Sequence, residues 1–219
     1  MYTIVYKLGG SLLALPDLSR RLQDLLKQPL PFSGESQHPE RLQRLLIVGG
    51  GPIADAVRHW DQVHRLRDSA AHELAMQSMS FNARFVAAIL SGARVVATRA
   101  EARDAWTQGC VAVLAAAEFV EAEERSSGDL LPRSWDVTSD SVAAYVTLHW
   151  PADALVLLKS VPLPAECDAN SAARRTDVDA YFPHLASRVP QIGWVNLRAD
   201  VSPTIQLWHC NSFRDSSEE

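Results

Sequence analysis

At about 150 residues per domain, a chain of 219 residues makes one large domain or two intimate lobes, which excludes a long multidomain assembly. With 47% hydrophobic and 21% charged residues it can bury a sizeable core and is not disordered along its length. Twenty-one Lys and Arg against 26 Asp and Glu leave a net charge of −5, so no global basic field draws in nucleic acid or anionic lipid, and any phosphate must be held locally.

Residues 2–7 (YTIVYK) form a short β-branched and aromatic run, ended by Gly9 and Gly10, that predicts a buried strand breaking into a turn. Behind Pro16, Leu15, Leu18, Leu22, Leu25 and Leu26 recur every three to four residues, as on a helix packed against a sheet. Residues 29–40, rich in Pro, Ser and Gly, predict a mobile surface excursion. A second apolar strand, 45–48, runs into Gly49, Gly50 and Gly51, with Pro52 suited to a first helical turn. Ile53, Val57, Trp60 and Val63 then carry one helix, and Leu74, Met79, Phe85, Ile89 and Leu90 another that ends near Gly92.

Residues 94–98 and 110–115 predict two more buried strands with a helical link, 121–134 a loop, and 136–150 a turn entering a helix. In that loop Glu121, Glu123 and Glu124 form a solvated acidic face. An apolar strand at 154–158 is followed by an irregular stretch, 162–176, by closing strands at 192–197 and 204–209, and by a frayed tail at 211–219. Strands alternating with helices imply an α/β fold, a three-layer αβα sandwich around a mostly parallel sheet.

Three cysteines (Cys110, Cys167 and Cys210), far apart and without CxxC spacing, point to a reduced compartment rather than a disulfide or zinc framework. The N-terminus lacks a signal-peptide pattern and no apolar run nears the roughly 18 residues of a membrane span, so a cytoplasmic protein is expected. The seven histidines form no HExxH, and neither a GxSxG elbow nor a GxxxxGK[ST] loop occurs. The six tryptophans are scattered, which suits core and interface packing better than base stacking.

Four segments carry chemistry. Lys7, Gly9, Gly10 and Ser11 (KLGGS) place a cation and convergent backbone N–H groups at a strand end, where an anion can bind, although a Gly-Gly turn also serves plain topology. Gly49, Gly50 and Gly51 repeat that arrangement and satisfy the relaxed dinucleotide fingerprint, which keeps an NAD(P) oxidoreductase as an alternative. Against that alternative, the acidic residues about 20 positions on, Asp68 and Glu73, fall in helical sequence and not after a second strand. Residues 134–144 (SWDVTSDSVAA) crowd small polar and acidic residues at a helix start, a pattern that N-capping explains unaided. Lys159 closes a buried strand at the edge where α/β sheets bind ligands, as a phosphate contact or a surface snorkel.

In this order, KLGGS, VGGGP, VTSDSVAA and LLKS resemble the amino acid kinase family, of carbamate kinase-like fold, over about residues 1–161. The resemblance implies an ATP- and Mg²⁺-dependent kinase with one domain: an acceptor lobe at about 1–120 and a nucleotide lobe at about 121–210. It implies that Lys7, Gly9, Gly10 and Ser11 contact the transferring phosphoryl group. Gly49, Gly50 and Gly51 would hold the acceptor, Asp140 would orient two catalytic lysines, and Lys159, with Thr138 and Ser139, would lie at the nucleotide phosphates. Residues 162–175 replace the family's usual nucleotide loop, and residues 177–182 (DVDAYF) are either a remnant of that lobe or a simple helix start.

The wording also resembles a short branch of the family related to the kinase that phosphorylates an aminomethyl-furanmethanol phosphate in methanofuran synthesis. Such an acceptor carries a phosphate for the second glycine turn, Gly49 to Gly51, and an amine for Asp55 or another carboxylate, with Arg58 as an alternative phosphate contact. The acceptor class implied is a carboxylate or a phosphomonoester. The expected partners are that small molecule and ATP, without nucleic acid or membrane, in a homodimer or higher homo-oligomer built through the early helices. A non-catalytic binding or sensing protein of the same fold remains the other alternative.

Overall fold

A computed structural model describes residues 1–32, 42–163, 165, 168–199 and 203–209. Seven strands form one sheet in the order β3-β4-β2-β1-β5-β6-β7. β1 (Tyr2–Leu8) lies at the centre, parallel to β2 (Leu42–Val48) on one side and to β5 (Ala154–Lys159) on the other. β4 (Val111–Leu114) and β3 (Ala93–Val96) extend the sheet beyond β2, while β6 (Ile192–Asn196) follows β5 in parallel. The short β7 (Gln206–Leu207) closes the edge antiparallel. Because β2 and β5 flank β1, the chain leaves the central strand in two directions, and crevices at such switch points are where α/β sheets bind ligands.

Both faces are covered, so β1 and β5 are buried throughout and their side chains alternate between two cores. Ile4, Tyr6, Leu8, Val156 and Leu158 pack with α1 (Leu18–Leu26) and the end of α3 (Asp68–Ile89). Val5, Leu155 and Leu157 face α4 (Arg99–Thr107), α5 (Ala116–Ser127), α6 (Ser139–His149), α7 (Ala169–Arg174) and α8 (Phe182–Ala186). The expected three-layer sandwich is present. Among the described residues no helix is long and apolar enough to cross a membrane.

Several local expectations change. Residues 121–127 are the second half of α5 and not loop, because Phe119, Val120 and Glu124 supply a buried face and Gly128, at φ 74°, ends the helix in the left-handed region. Glu124 is therefore 4% exposed instead of solvated: it pairs with Arg133 and accepts the Leu131 N–H at 2.9 Å. β3 is an edge strand with only Val96 buried, and α7 occupies part of the stretch expected to be irregular.

α2 (Gly51–His64) and α3 follow in succession after β2, so no strand returns to carry a ribose-binding acid and Asp68 sits at a helix start. Of the apolar residues expected to seat these two helices, Trp60, Val63, Leu74, Phe85 and Ile89 are exposed. Met79 faces inward as expected, joined on the inward face of α3 by Ala71, Met76, Ala83 and Val86. Most of the predicted excursion at 29–40, the tail at 211–219, Cys167 and Cys210 lie outside the described residues.

Candidate active site

Strand periodicity aims two cations at one helix. Lys7 follows Val5 at a spacing of two and Lys159 follows Leu157, so both side chains leave the sheet on the α6 side near the carboxyl ends of neighbouring parallel strands. There Asp140, in the first turn of α6, receives both. Lys7 Nζ and Lys159 Nζ each lie 2.8 Å from Asp140 Oδ1, and Lys159 also donates to Oδ2 at 2.8 Å. The Oδ1 contacts are ion pairs, since no well-directed hydrogen bond reaches that atom. Lys159 further donates to the Asp177 carbonyl at 2.6 Å and sits 5.5 Å from the centre of the Trp194 ring.

All three groups are 9% exposed or less. Burial by itself would raise the Asp140 pKa, but the charges of Lys159 and then Lys7 outweigh it and hold the carboxyl at about 2. Burial pulls Lys159 down to about 8, the Asp140 charge resisting and the Lys7 charge assisting. Desolvating three charges is a poor route to stability compared with apolar packing, so the cluster is better explained by chemistry than by folding.

A second, half-buried carboxylate fixes the position of Asp140. Asp179 accepts from Thr138 N at 3.0 Å, Thr138 Oγ1 at 2.9 Å, Ser141 N at 2.9 Å, Phe182 N at 3.0 Å and the Ser141 hydroxyl. It thereby caps α6 in place of the Thr138 side chain, and burial followed by the nearby Asp140 charge raises its pKa. Among the described residues no group of three or more His, Cys, Asp or Glu could hold a metal ion. Asp140 and Asp179 already have their oxygens engaged, which suits a Mg²⁺ ligated mainly by phosphates and water.

The two glycine turns touch backbone to backbone. A Cβ on Gly10 would meet Gly51 Cα at 2.5 Å, and Gly51 itself adopts φ 51°, where a side chain is strained. Asn82, buried on α3, donates to the carbonyls of Gly49 and Gly50, both at 2.8 Å, and so pins the second turn. Gly9 N–H is spent on Leu158 O at 2.9 Å and Gly49 N–H on Leu8 O at 2.8 Å. The donors left for an anion are thus the first-turn N–H groups that follow each turn, which have no intrahelical partner. Ser11 sits beside the other strand end, its hydroxyl 3.3 Å from that of Ser160.

Next to the turns lies a cavity of about 480 Å³, bordered by Gly10, Ser11, Gly50, Gly51, Thr138 and Ser139. Asp55 and Arg58, one turn apart on α2, line its side and are paired at 2.9 Å. The Arg58 guanidinium also lies 4.5 Å above the Trp135 ring, whose Nε1 donates to Asp61 at 2.8 Å. A loop from the α5–α6 connection is thereby clamped onto α2, and a cation is held flat at the cavity wall.

Lys7, Asp140 and Lys159 thus meet at one point, while Gly10, Ser11, Gly50, Gly51, Asp55, Arg58, Thr138 and Ser139 share the cavity. Asp179, Asn82, Trp135 and His72, the last of which lines the cavity from α3, are site residues that no sequence motif marks as such. Asp179 lies in the DVDAYF stretch and Trp135 in the SWDVTSDSVAA stretch, whereas Asn82 and His72 sit on α3, whose relation to the turns is purely tertiary.

The sequence pattern of the amino acid kinase family matches residues 2–163. Among curated proteins nothing matches the chain significantly. Among solved structures it is similar to UMP kinase from Ureaplasma parvum at 14% identity and TM-score 0.61, covering 93% of this chain and 98% of that one. UMP kinase from Bacillus anthracis matches at 13% identity and TM-score 0.57, with 94% and 98% covered. Uridylate kinase from Archaeoglobus fulgidus matches at 15% and 0.55, with 87% and 88% covered. These likenesses show the fold, and the match over residues 2–163 shows the lineage: the chain belongs to the amino acid kinase family and is a phosphotransferase.

Proposed function

We propose that the chain transfers the γ-phosphoryl group of ATP to the carboxylate or phosphate of a small molecule held in the cavity beside the glycine turns. The observation that carries this reading is the Lys7–Asp140–Lys159 cluster, buried at the carboxyl ends of β1 and β5 next to that cavity. Phosphoryl transfer passes through a loose, charge-spread transition state, so the protein mainly has to supply positioned positive charge and N–H donors.

In this reading Lys7, with the N–H groups of Gly10 and Ser11, faces the moving phosphoryl group, and Lys159, with Thr138 and Ser139, faces the nucleotide phosphates. Asp140 keeps two ammoniums close that would otherwise repel. Mg²⁺, carried on the nucleotide, would neutralise the β and γ phosphates. The first 120 residues or so bind the acceptor and the following part the nucleotide. Gly50, Gly51 and Arg58 hold the acceptor's anionic group, with Asp55 available to an amine. An aminomethyl-furan phosphate fits that donor and acceptor set, and UMP, on which the structural neighbours are named as acting, belongs in the same screen. The exposed Trp60, Phe81 and Phe85 on α2 and α3 support pairing with a second copy.

The test is thermal unfolding with ATP·Mg²⁺, NAD(P)H or buffer, followed by ADP release with a panel of amine-bearing phosphomonoesters and nucleoside monophosphates. Ligand at 100 times its Kd adds about 2.7 kcal/mol to the native state. A shift with ATP·Mg²⁺ and acceptor-dependent ADP release are expected. A shift with NAD(P)H alone, or ATP binding without turnover across the panel, would overturn the kinase reading in favour of an oxidoreductase or a sensor respectively.

A further inference from the structure

We propose that His72 is a donor-reading subsite of the acceptor cavity: besides its anionic group, the acceptor carries an N–H or O–H that donates to His72 Nε2. This rests on the acceptor reading above and narrows it to small phosphates or carboxylates with an apolar body and a hydrogen-bond donor remote from the anion.

His72 lies on α3 and lines the cavity, yet it is only 4% exposed. Its Nε2 is buried and has no hydrogen-bond partner in the protein. Buried polar atoms are nearly always paired, and a histidine placed merely to fill a core has both nitrogens satisfied or is replaced by an apolar residue. A neutral imidazole carries one proton, and with that proton on Nδ1 the unpartnered Nε2 is an acceptor, the tautomer this subsite requires. Burial first, and then the Arg133 guanidinium, hold the ring below the ordinary histidine pKa, with Glu124 opposing, so it stays neutral near pH 7.

Met76 and Met79 follow His72 at four and seven residues, on the same face of α3, and line the same cavity. Their flexible thioethers make an apolar wall that can yield as a ligand approaches the shielded nitrogen. Another wall carries the opposite polarity, the Arg58 guanidinium held flat on Trp135, which takes an anion. A cavity with a fixed cation, an apolar wall and an unpaired acceptor is complementary to a molecule with an anion, an apolar body and a donor. Such a site rejects the analogue that lacks the donor, because the acceptor then stays unpaired.

The full-length chain would be titrated calorimetrically with two matched pairs: UMP against N3-methyl-UMP, and 3-(aminomethyl)benzyl phosphate against 3-methylbenzyl phosphate. The expected result is at least one pair whose donor-bearing member binds about tenfold tighter, about 1.4 kcal/mol. His72→Phe brings that pair to parity, and His72→Gln, whose amide oxygen can accept near the Nε2 position, restores most of the difference. Long-range ¹H–¹⁵N spectra of the imidazole supply a readout independent of affinity, with Nε2 unprotonated in the free protein and shifting only with the donor-bearing member. Parity in the unaltered chain, or discrimination that survives in His72→Phe, overturns the subsite and leaves the kinase reading standing if ATP-dependent phosphorylation proceeds. Binding of ATP with no binding of any of the four probes overturns the acceptor reading and the subsite together.

Discussion

Asp140→Asn is the most informative single change, because it keeps shape and burial while removing the one charge that both lysines share. With both ammoniums 2.8 Å from one oxygen, their separation is at most twice that distance. At about 5 Å and an effective dielectric of about 20, their repulsion is about 3 kcal/mol. Without the carboxylate, Lys159, already at about 8, is driven lower and loses its proton near neutrality, or one side chain swings away. Either outcome removes a positioned charge from the transition state, a loss of about 3 kcal/mol or roughly 10²-fold in kcat. The assay is acceptor-dependent ADP release at saturating ATP·Mg²⁺, with circular dichroism and urea unfolding to show that the variant is folded. A folded Asp140→Asn enzyme turning over within about threefold of the parent refutes the reasoning.

The Lys159 value predicts an alkaline limb in kcat/KM: activity needs the protonated amine and falls as pH rises through about 8, whereas Lys159→Arg pushes that limb above pH 10; a flat profile in the parent contradicts this. Because the folded pKa of Asp140, about 2, lies below its ordinary value, its contribution to stability is present above about pH 4 and is lost as pH falls through about 2. Urea midpoints across that range should show this acid limb, and Asp140→Asn should lack it. Gly10→Ala forces a methyl into the backbone of the second glycine turn and should cut kcat by at least about tenfold with a measurable loss of Tm; parent-like values in both would show that the two turns need not touch. Arg58→Ala should raise the acceptor KM by about tenfold or more with little change in kcat, and an unchanged KM would remove Arg58 from the acceptor site. Phe81→Arg, on the exposed face of α3, should shift sedimentation toward a smaller species if that face pairs two copies; a parent that already sediments as a monomer rules the pairing out.

What the amino-acid sequence determined by itself is what near neighbours in the chain decide. The strand ends at Lys7 and Lys159, the glycine turns after β1 and β2, the polar start of α6 and the alternation of strands with helices are short-range signals, and a layered α/β fold follows from them. The order of the four segments was enough to suggest the family and, through it, a carboxylate shared by two lysines. Tertiary structure decided the rest. The parallel register of β1 with β5 brings Lys7 and Lys159, more than 150 positions apart, onto the same oxygen of Asp140. Packing against Arg133 buried a glutamate expected in solvent, and the seating of α3 turned Phe85 and Ile89 outward although their spacing suited a core stripe. Periodicity states that a helix has an apolar face but not what covers it, and residues such as Trp135, Asn82 and His72 acquire partners only when distant segments meet. The cavity that Trp135 and His72 help to line was therefore invisible until the chain was folded.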